Sequence, residues 1–173
     1  DAYQLPKLNI SLKEAENKTE EILTSAFQYR MISDVPVGVF LSGGYDSSCV
    51  TALLQKNSAT KIKTFTIGFE DPKYNEAGFA KEVASHLGTD HHEQICSFQE
   101  AMDIIPELST IYDEPFGDSS AVPTTLVSRV ARKHVTVALS ADGGDELFAG
   151  YPRHRKSLNQ LKKLNRIPNG LSG

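Results

Sequence analysis

Between Val37 and Leu41 every residue except Gly38 is apolar, and the run passes without a spacer into Ser42-Gly43-Gly44-Tyr45-Asp46-Ser47-Ser48. So short a segment is no independent helix, and its apolar side chains fall on both parities, so it reads as a strand covered on both faces. Val50, Leu53 and Leu54 then make a helical stripe from about Ser47 to Lys56. A doubly covered strand that turns through glycines into a helix belongs in a parallel sheet. Parallel neighbours need crossovers, and the crossover helices supply the cover.

The unit recurs along the chain. Lys63 to Phe69 is a second strand, and Glu76 to Leu87 a helix with Phe79, Ala80, Val83, Ala84 and Leu87 on one face. Gly88 suits the left-handed position that ends that helix, and His92 to Cys96 is a third strand. Upstream, Ser11 with Glu14 is a capping box opening a helix to about Met31, whose apolar face is Ala15, Ile22, Leu23, Ala26 and Phe27. Downstream, Ser97 with Glu100 is a second box, opening a helix that Pro106 breaks or restarts. Val122 to Lys133 is a further amphipathic helix, and Val135 to Leu139 a last buried strand. Strands alternating with helices predict an α/β fold, a doubly wound parallel sheet. The expected organisation is a lead-in over 1–10, a core over 11–151 and a basic helical start of a further region over 152–173.

The chain has 173 residues, enough for a core without disulfide or metal staples. Its net charge is −4, and all 22 acidic residues precede Leu147 while six of the 18 basic ones follow it, so the bulk of the chain is too acidic for a general nucleic-acid binder. The late basic run Arg153, Arg155, Lys156, Lys162, Lys163 and Arg166 reads as one solvated helix face opposite Leu158, Leu161 and Leu164. Two cysteines, Cys49 and Cys96, make no zinc, redox or disulfide framework, and no apolar run approaches the roughly 20 residues of a membrane span. The expected setting is the cytoplasm, with neither membrane nor nucleic acid as partner.

Two segments carry chemistry. Ser42 to Ser48 lies between a strand and a helix N-terminus, where backbone N–H groups and the helix dipole favour an anion and glycines let a phosphate come close. It lacks the Gly-Lys-Ser/Thr ending of a P-loop and lacks G-x-G-x-x-G. The plain rival is a turn with Asp46 or Ser47 as N-cap. The second segment, Ser140-Ala141-Asp142-Gly143-Gly144-Asp145-Glu146, also follows a strand, so both are expected at one carboxyl edge, where ligands of such sheets bind. Asp113-Glu114-Pro115 and Asp118-Ser119-Ser120 line an amino-acid pocket or, with Ser119 or Ser120 as cap, merely start the next helix. His91 and His92, neighbours on a strand, point to opposite faces and do not share an ion. Cys49 reads as a small buried apolar residue.

The Ser-Gly-Gly-x-Asp-Ser-Ser segment after an apolar strand resembles the PP-loop of the ATP pyrophosphatase group, whose fold is of the adenine nucleotide alpha hydrolase type. The later Asp142-Gly143-Gly144-Asp145-Glu146-Leu147-Phe148, followed by Gly150-Tyr151, is similar to the asparagine synthetase family in particular. Thr64 to Phe69, Leu87 to Glu93 and Asp113-Glu114-Pro115 resemble the same family in the same order, over roughly Leu12 to His154.

The resemblance implies a ligase that adenylates the side-chain carboxylate of aspartate with ATP, releases pyrophosphate, and lets ammonia displace AMP to give asparagine. Asp46 and Asp145 would hold Mg²⁺. Ser42, Gly43, Gly44, Ser47 and Ser48 would bind the pyrophosphate portion, backbone groups of Leu41 and Ile67 would meet the adenine, and Ser140 and Ala141 would lie near ribose and α-phosphate. Asp142 would stand near the reacting carboxyl group, orienting the amine or accepting its proton. Family members also carry a glutaminase domain that supplies ammonia and a later helical stretch with a lysine for pyrophosphate. Neither lies within the 173 residues, so a fragment of a longer protein, a homodimer when complete, is expected. Two positions depart from the family. Tyr45 replaces an aliphatic residue, and Ala141 replaces a glycine, whose extra methyl would crowd a nucleotide or force a different backbone angle. The rival functions are a relative that joins another carboxylate, as in β-lactam or lasso-peptide ring closure, and a nucleotide-binding module without turnover.

Overall fold

A computed structural model describes residues 6–73, 75–115 and 117–164. The chain divides into two compact units, Asp1–Ser140 and Ala141–Gly173.

The first unit is built on a four-stranded parallel sheet. In chain order its elements are α1 (Leu12–Met31), β1 (Val37–Phe40), α2 (Tyr45–Lys56), β2 (Lys63–Phe69), α3 (Ala77–Leu87), β3 (Asp90–Cys96), α4 (Phe98–Ile104), a 3-10 turn over Ile105–Glu107, α5 (Leu108–Ile111), α6 (Ala121–Arg132) and β4 (Val137–Leu139). The strands lie in the order β3-β2-β1-β4. The chain thus winds outward from β1 through β2 to β3 and returns to pair β4 on the free side of β1, the reversal that defines a doubly wound sheet and opens a crevice at the strand ends.

Strand alternation splits the core. Phe65, fully buried in mid-β2, packs with Val130, Ala131 and Val135 of α6 and its C-terminal end. Burying such a ring is worth about 1.5–3 kcal/mol. Leu41, just past β1, packs instead with Ala80 and Ala84 of α3. Cys96, Ile104 and Leu126 make a third cluster where β3, α4 and α6 meet. The segment after α4 restarts at Pro106, which sits in the first turn of the 3-10 helix.

Both capping boxes form. In each, the serine hydroxyl accepts from the backbone N–H of the glutamate three residues on, and that glutamate accepts from the serine N–H, at 2.8 Å for Ser11 and 2.7 Å for Ser97. Gly88 ends α3 at φ 72°. The last strand differs from expectation: it is Val137–Leu139, and Val137 is 40% exposed. Among the described residues only β1 pairs with it, so as an outer strand it is covered less fully than its apolar run suggests, while Val135 extends the end of α6 by donating to Ala131 O at 2.9 Å. Among the described residues no helix is long and apolar enough to cross a membrane.

The second unit holds α7 (Gly144–Phe148) and α8 (Pro152–Leu164). Between them Ala149 adopts φ 55°, and Gly150 N–H donates to Asp145 O at 3.0 Å.

Candidate active site

The register Val39↔Leu139 sets the ends of β1 and β4 side by side, so Ser42 and Ser140 leave the sheet at the same carboxyl edge. The glycine turn therefore occupies the switch point, where sheets of this kind bind ligands.

Its geometry follows from its residues. Gly43 turns the chain at φ 83°, and a Cβ there would come 2.7 Å from both Ala80 N and Phe79 Cβ, so the turn lies directly on the first residues of α3. Gly44 is the N-cap of α2 with no side chain to offer, unlike Ser11 and Ser97, so the N–H groups of the first turn have no side-chain cap. An anion there gains those donors and about 0.3–1 kcal/mol from the dipole. The plain alternative, with Asp46 or Ser47 as cap, does not hold: both lie inside the helix.

Ser42 and Ser47 lock the turn from within. Ser42 N–H donates to Ser47 Oγ at 3.2 Å, Gly44 N–H donates to Ser42 Oγ at 3.3 Å, and Ser47 Oγ donates to Gly44 O at 3.3 Å. Thr51 Oγ1 donates to Ser47 O at 2.7 Å, one turn along. Ser48 Oγ is buried with no partner among the described residues, an orphan hydroxyl at the same helix start. Leu41 is held by both backbone groups: its N–H donates to Phe65 O at 2.9 Å and its carbonyl accepts from Thr66 Oγ1. Ile67 turns its side chain toward the α6 clusters. Tyr45 is 96% exposed beside the turn.

Asp46, in the first turn of α2, is exposed and makes no hydrogen bond or ion pair among the described residues. In the second unit Asp142 is exposed, and Asp145 is half-buried in the first turn of α7. Ala141 keeps an ordinary backbone angle, since Ala149 is the one described non-glycine residue at positive φ. No group of three or more His, Cys, Asp or Glu side chains suited to a metal occurs among the described residues. Mg²⁺ needs less, because one or two carboxylates suffice when substrate phosphates and water complete its shell.

The residues fit a nucleotide polyphosphate with its cation. The uncapped helix start, the orphan Ser48 hydroxyl and Gly44, where a Cβ would find only Ser42 Oγ at 3.4 Å, leave a cradle that the protein itself does not fill. In the first unit the exposed Asp46 carboxylate, and within the second unit that of Asp145, each offers hard oxygens of the kind Mg²⁺ takes.

Other polar candidates make local contacts. His91 Nδ1 meets Thr64 Oγ1 at 2.9 Å, while the His92 ring joins a three-ring cluster with Phe65 and His134, whose centroids lie 5.3 and 3.9 Å from it and 5.8 Å from each other, so the two histidines do face apart. Asp118, not a serine side chain, supports the start of α6. Its Oδ1 accepts from Ser120 N–H at 2.7 Å, which holds its carboxyl below the usual range, and the Ser120 side chain makes no cap bond. Cys49 is exposed, not buried, because α2 buries the stripe Ser47, Val50, Thr51 and Leu54 and residue 49 falls beside it. Partial loss of hydration and the Asp46 charge push its thiol up. A cavity of about 510 Å³ between α6 and the β1–β4 side of the sheet is lined by Phe40, Tyr112, Arg132 and Val137 among others, and holds none of the residues expected to bind nucleotide.

Sequence reading missed two supports of the glycine turn, the backing of Gly43 by Phe79 and Ala80 and the Thr66 bond to Leu41, and, within the second unit, the packing of Asp145 on Gly150. Each joins residues whose proximity no periodicity encodes.

Comparison with known proteins agrees with this geometry. The asparagine synthase family model matches residues 18–172. A putative asparagine synthetase [glutamine-hydrolyzing] 2 of Methanocaldococcus jannaschii is 48% identical over 136 residues, covering 78% of this chain and 26% of that protein. Asparagine synthetase [glutamine-hydrolyzing] 1 of Bacillus subtilis is 42% identical over 154 residues, covering 89% of this chain and 24% of that protein. The chain thus spans about a quarter of the length of these curated relatives. Among solved structures, an NH3-dependent NAD synthetase from Campylobacter jejuni, in complex with the nitrate ion, superposes with a TM-score of 0.52 at 17% identity, over 78% of this chain and 60% of that one, which supports the fold alone. With the family model matched along nearly its whole length, the chain belongs to the asparagine synthase family.

Proposed function

We propose that this chain is the nucleotide-binding core of an asparagine synthetase, in which aspartate and ATP react with loss of pyrophosphate and ammonia then displaces AMP to give asparagine. The observation that carries the reading is the uncapped Ser42–Ser48 turn at the switch point between β1 and β4, with its orphan Ser48 hydroxyl.

The chemistry brings a carboxylate onto a polyphosphate, and two anions approach only where fixed positive charge and donors offset their repulsion. The first-turn N–H groups of α2, with the Ser42, Ser47 and Ser48 hydroxyls, bind and orient the pyrophosphate portion. Gly43 and Gly44 keep side chains out of its path. Backbone groups of Leu41 and Ile67 would meet the adenine, and Ser140 and Ala141 would lie near the ribose and α-phosphate. Asp46 and Asp145 would hold Mg²⁺, which would neutralise phosphate charge and act as a Lewis acid. Asp142 orients the incoming amine or accepts its proton. The domain plan of a core over 11–151, followed by a basic helical start, belongs to the same reading. So do ammonia from a glutaminase domain, a homodimer and a cytoplasmic setting, for which the two free cysteines are suited.

The test is incubation of the full-length protein with ATP, Mg²⁺, aspartate and ammonia. AMP, pyrophosphate and asparagine formed in equal amounts support the proposal. Folded protein that yields none of them, or that accepts another carboxylate in place of aspartate, overturns it.

A further inference from the structure

Gly150 is a glycine that its own backbone does not require. The described glycines in the left-handed region are Gly43, Gly88 and Gly143, and Gly150 is outside it. What excludes a side chain is Asp145: a Cβ at 150 would overlap Asp145 Oδ1, reach its Cγ at 3.0 Å and its Cα at 3.4 Å. The severe overlap is with the tip of a side chain. A substituted residue would therefore deflect the carboxylate before it displaced the helix.

The surrounding turn is built to hold that packing. Gly150 N–H donates to Asp145 O at 3.0 Å, which closes α7. Tyr151 Oη donates to Glu146 Oε1 at 2.7 Å, and the Arg153 guanidinium lies 4.1 Å over the Tyr151 ring. The neighbouring carboxylate Glu146 is thus drawn away to Tyr151, and Asp145 is left free of hydrogen-bonding side chains among the described residues, with its rotamer limited by the Gly150 backbone. We infer that Gly150 is a positioning residue whose missing side chain sets the direction in which Asp145 presents its carboxylate to a divalent cation. This rests on the proposed role of Asp145 as a Mg²⁺ ligand. Groups that orient a metal ligand typically change metal affinity roughly 10- to 100-fold when altered.

The experiment uses the full-length protein with Mn²⁺ as a spectroscopic stand-in for Mg²⁺, bound in the presence of an ATP analogue that cannot be cleaved, together with thermal melting without nucleotide. Gly150→Ala is expected to weaken Mn²⁺ binding roughly 10- to 100-fold. Any loss of Tm it causes is expected to vanish when Asp145→Ala is already present, because the clash is then gone. Asp145→Asn that weakens Mn²⁺ binding while Gly150→Ala leaves it unchanged overturns the positioning role alone. Asp145→Asn without effect overturns the metal reading and the inference with it. An equal Tm loss from Gly150→Ala in both backgrounds marks a purely backbone role and also overturns the inference.

Discussion

The hydroxyls of Ser42 and Ser47 stand 3.0 Å apart across the glycine turn, and Ser47 is buried while Ser42 is exposed. One proton arrangement satisfies every contact of the pair: Ser42 O–H donates to Ser47 Oγ, Ser47 O–H donates to Gly44 O, and Gly44 N–H donates to Ser42 Oγ. The turn is thereby shaped before any ligand arrives.

Ser47→Ala removes the centre of that ring and strands the Ser42 N–H. The expected loss of stability is about 1–3 kcal/mol, with a larger proportional loss of ATP affinity. Thermal melting and calorimetry measure the two, and unchanged values of both would contradict the arrangement.

Gly43 and Gly44 separate folding from binding. Gly43→Ala meets a positive φ and the start of α3, and is expected to cost about 1–3 kcal/mol. Gly44→Ala has φ −69° and room for a methyl, so Tm is expected to hold or rise slightly, while ATP affinity falls. Equal Tm losses for the two variants would refute the distinction.

Stability should fall with acidification below about pH 6.5, the ordinary histidine pKa. Loss of hydration holds the His134 imidazole below that value, helped by the stacked His92, by Lys63 and by Lys133, against a smaller opposing pull from Asp90. His91 is likewise lowered, first by burial and then by His92 and Lys81, with Glu93 opposing. As pH drops through this range the unfolded chain takes up protons that the folded form resists, so the folded form loses ground; at higher pH both forms are neutral and the effect is gone. Melting curves across pH, with His134→Gln giving a shallower slope, check the direction, and a Tm that rises on acidification counts against it.

Ala149 holds φ 55° between α7 and α8, where an L side chain is strained by about 1–2 kcal/mol. Ala149→Gly should therefore stabilise the turn, by up to about 1 kcal/mol after glycine's extra freedom in the unfolded chain is counted. A lower Tm for this variant would show that the methyl makes contacts worth more than the strain it carries.

Much of the first unit was legible in order along the chain. Lys63 to Phe69 coincides with β2, the stripe of α3 ends at Gly88 as its glycine requires, and Ser11 and Ser97 cap as their spacing to glutamate predicts. Local hydrogen bonds and burial periodicity decide these features, and both are written within a few residues. The glycine turn could likewise be placed, because a buried strand, two glycines and a helix start are contiguous. The exposure of Cys49 and the partial exposure of β4 differ from what their sequence suggests, since each depends on which neighbours cover an element, whereas Ser120 does stand at the N-cap of α6, with Asp118 rather than its own side chain making the local bond.

By itself the sequence determined the α/β alternation, the glycine turn between β1 and α2 and the family, because the residues that set them are neighbours in the chain or recur in a fixed order. Only the tertiary structure decided that β4 returns to pair with β1, that α3 backs Gly43, and that Asp145 rests on Gly150. The first two are contacts across crossovers, chosen by packing among strands and helices far apart in the chain. The third, though short in sequence separation, depends on the angle at which α7 turns into α8, which no residue pattern states.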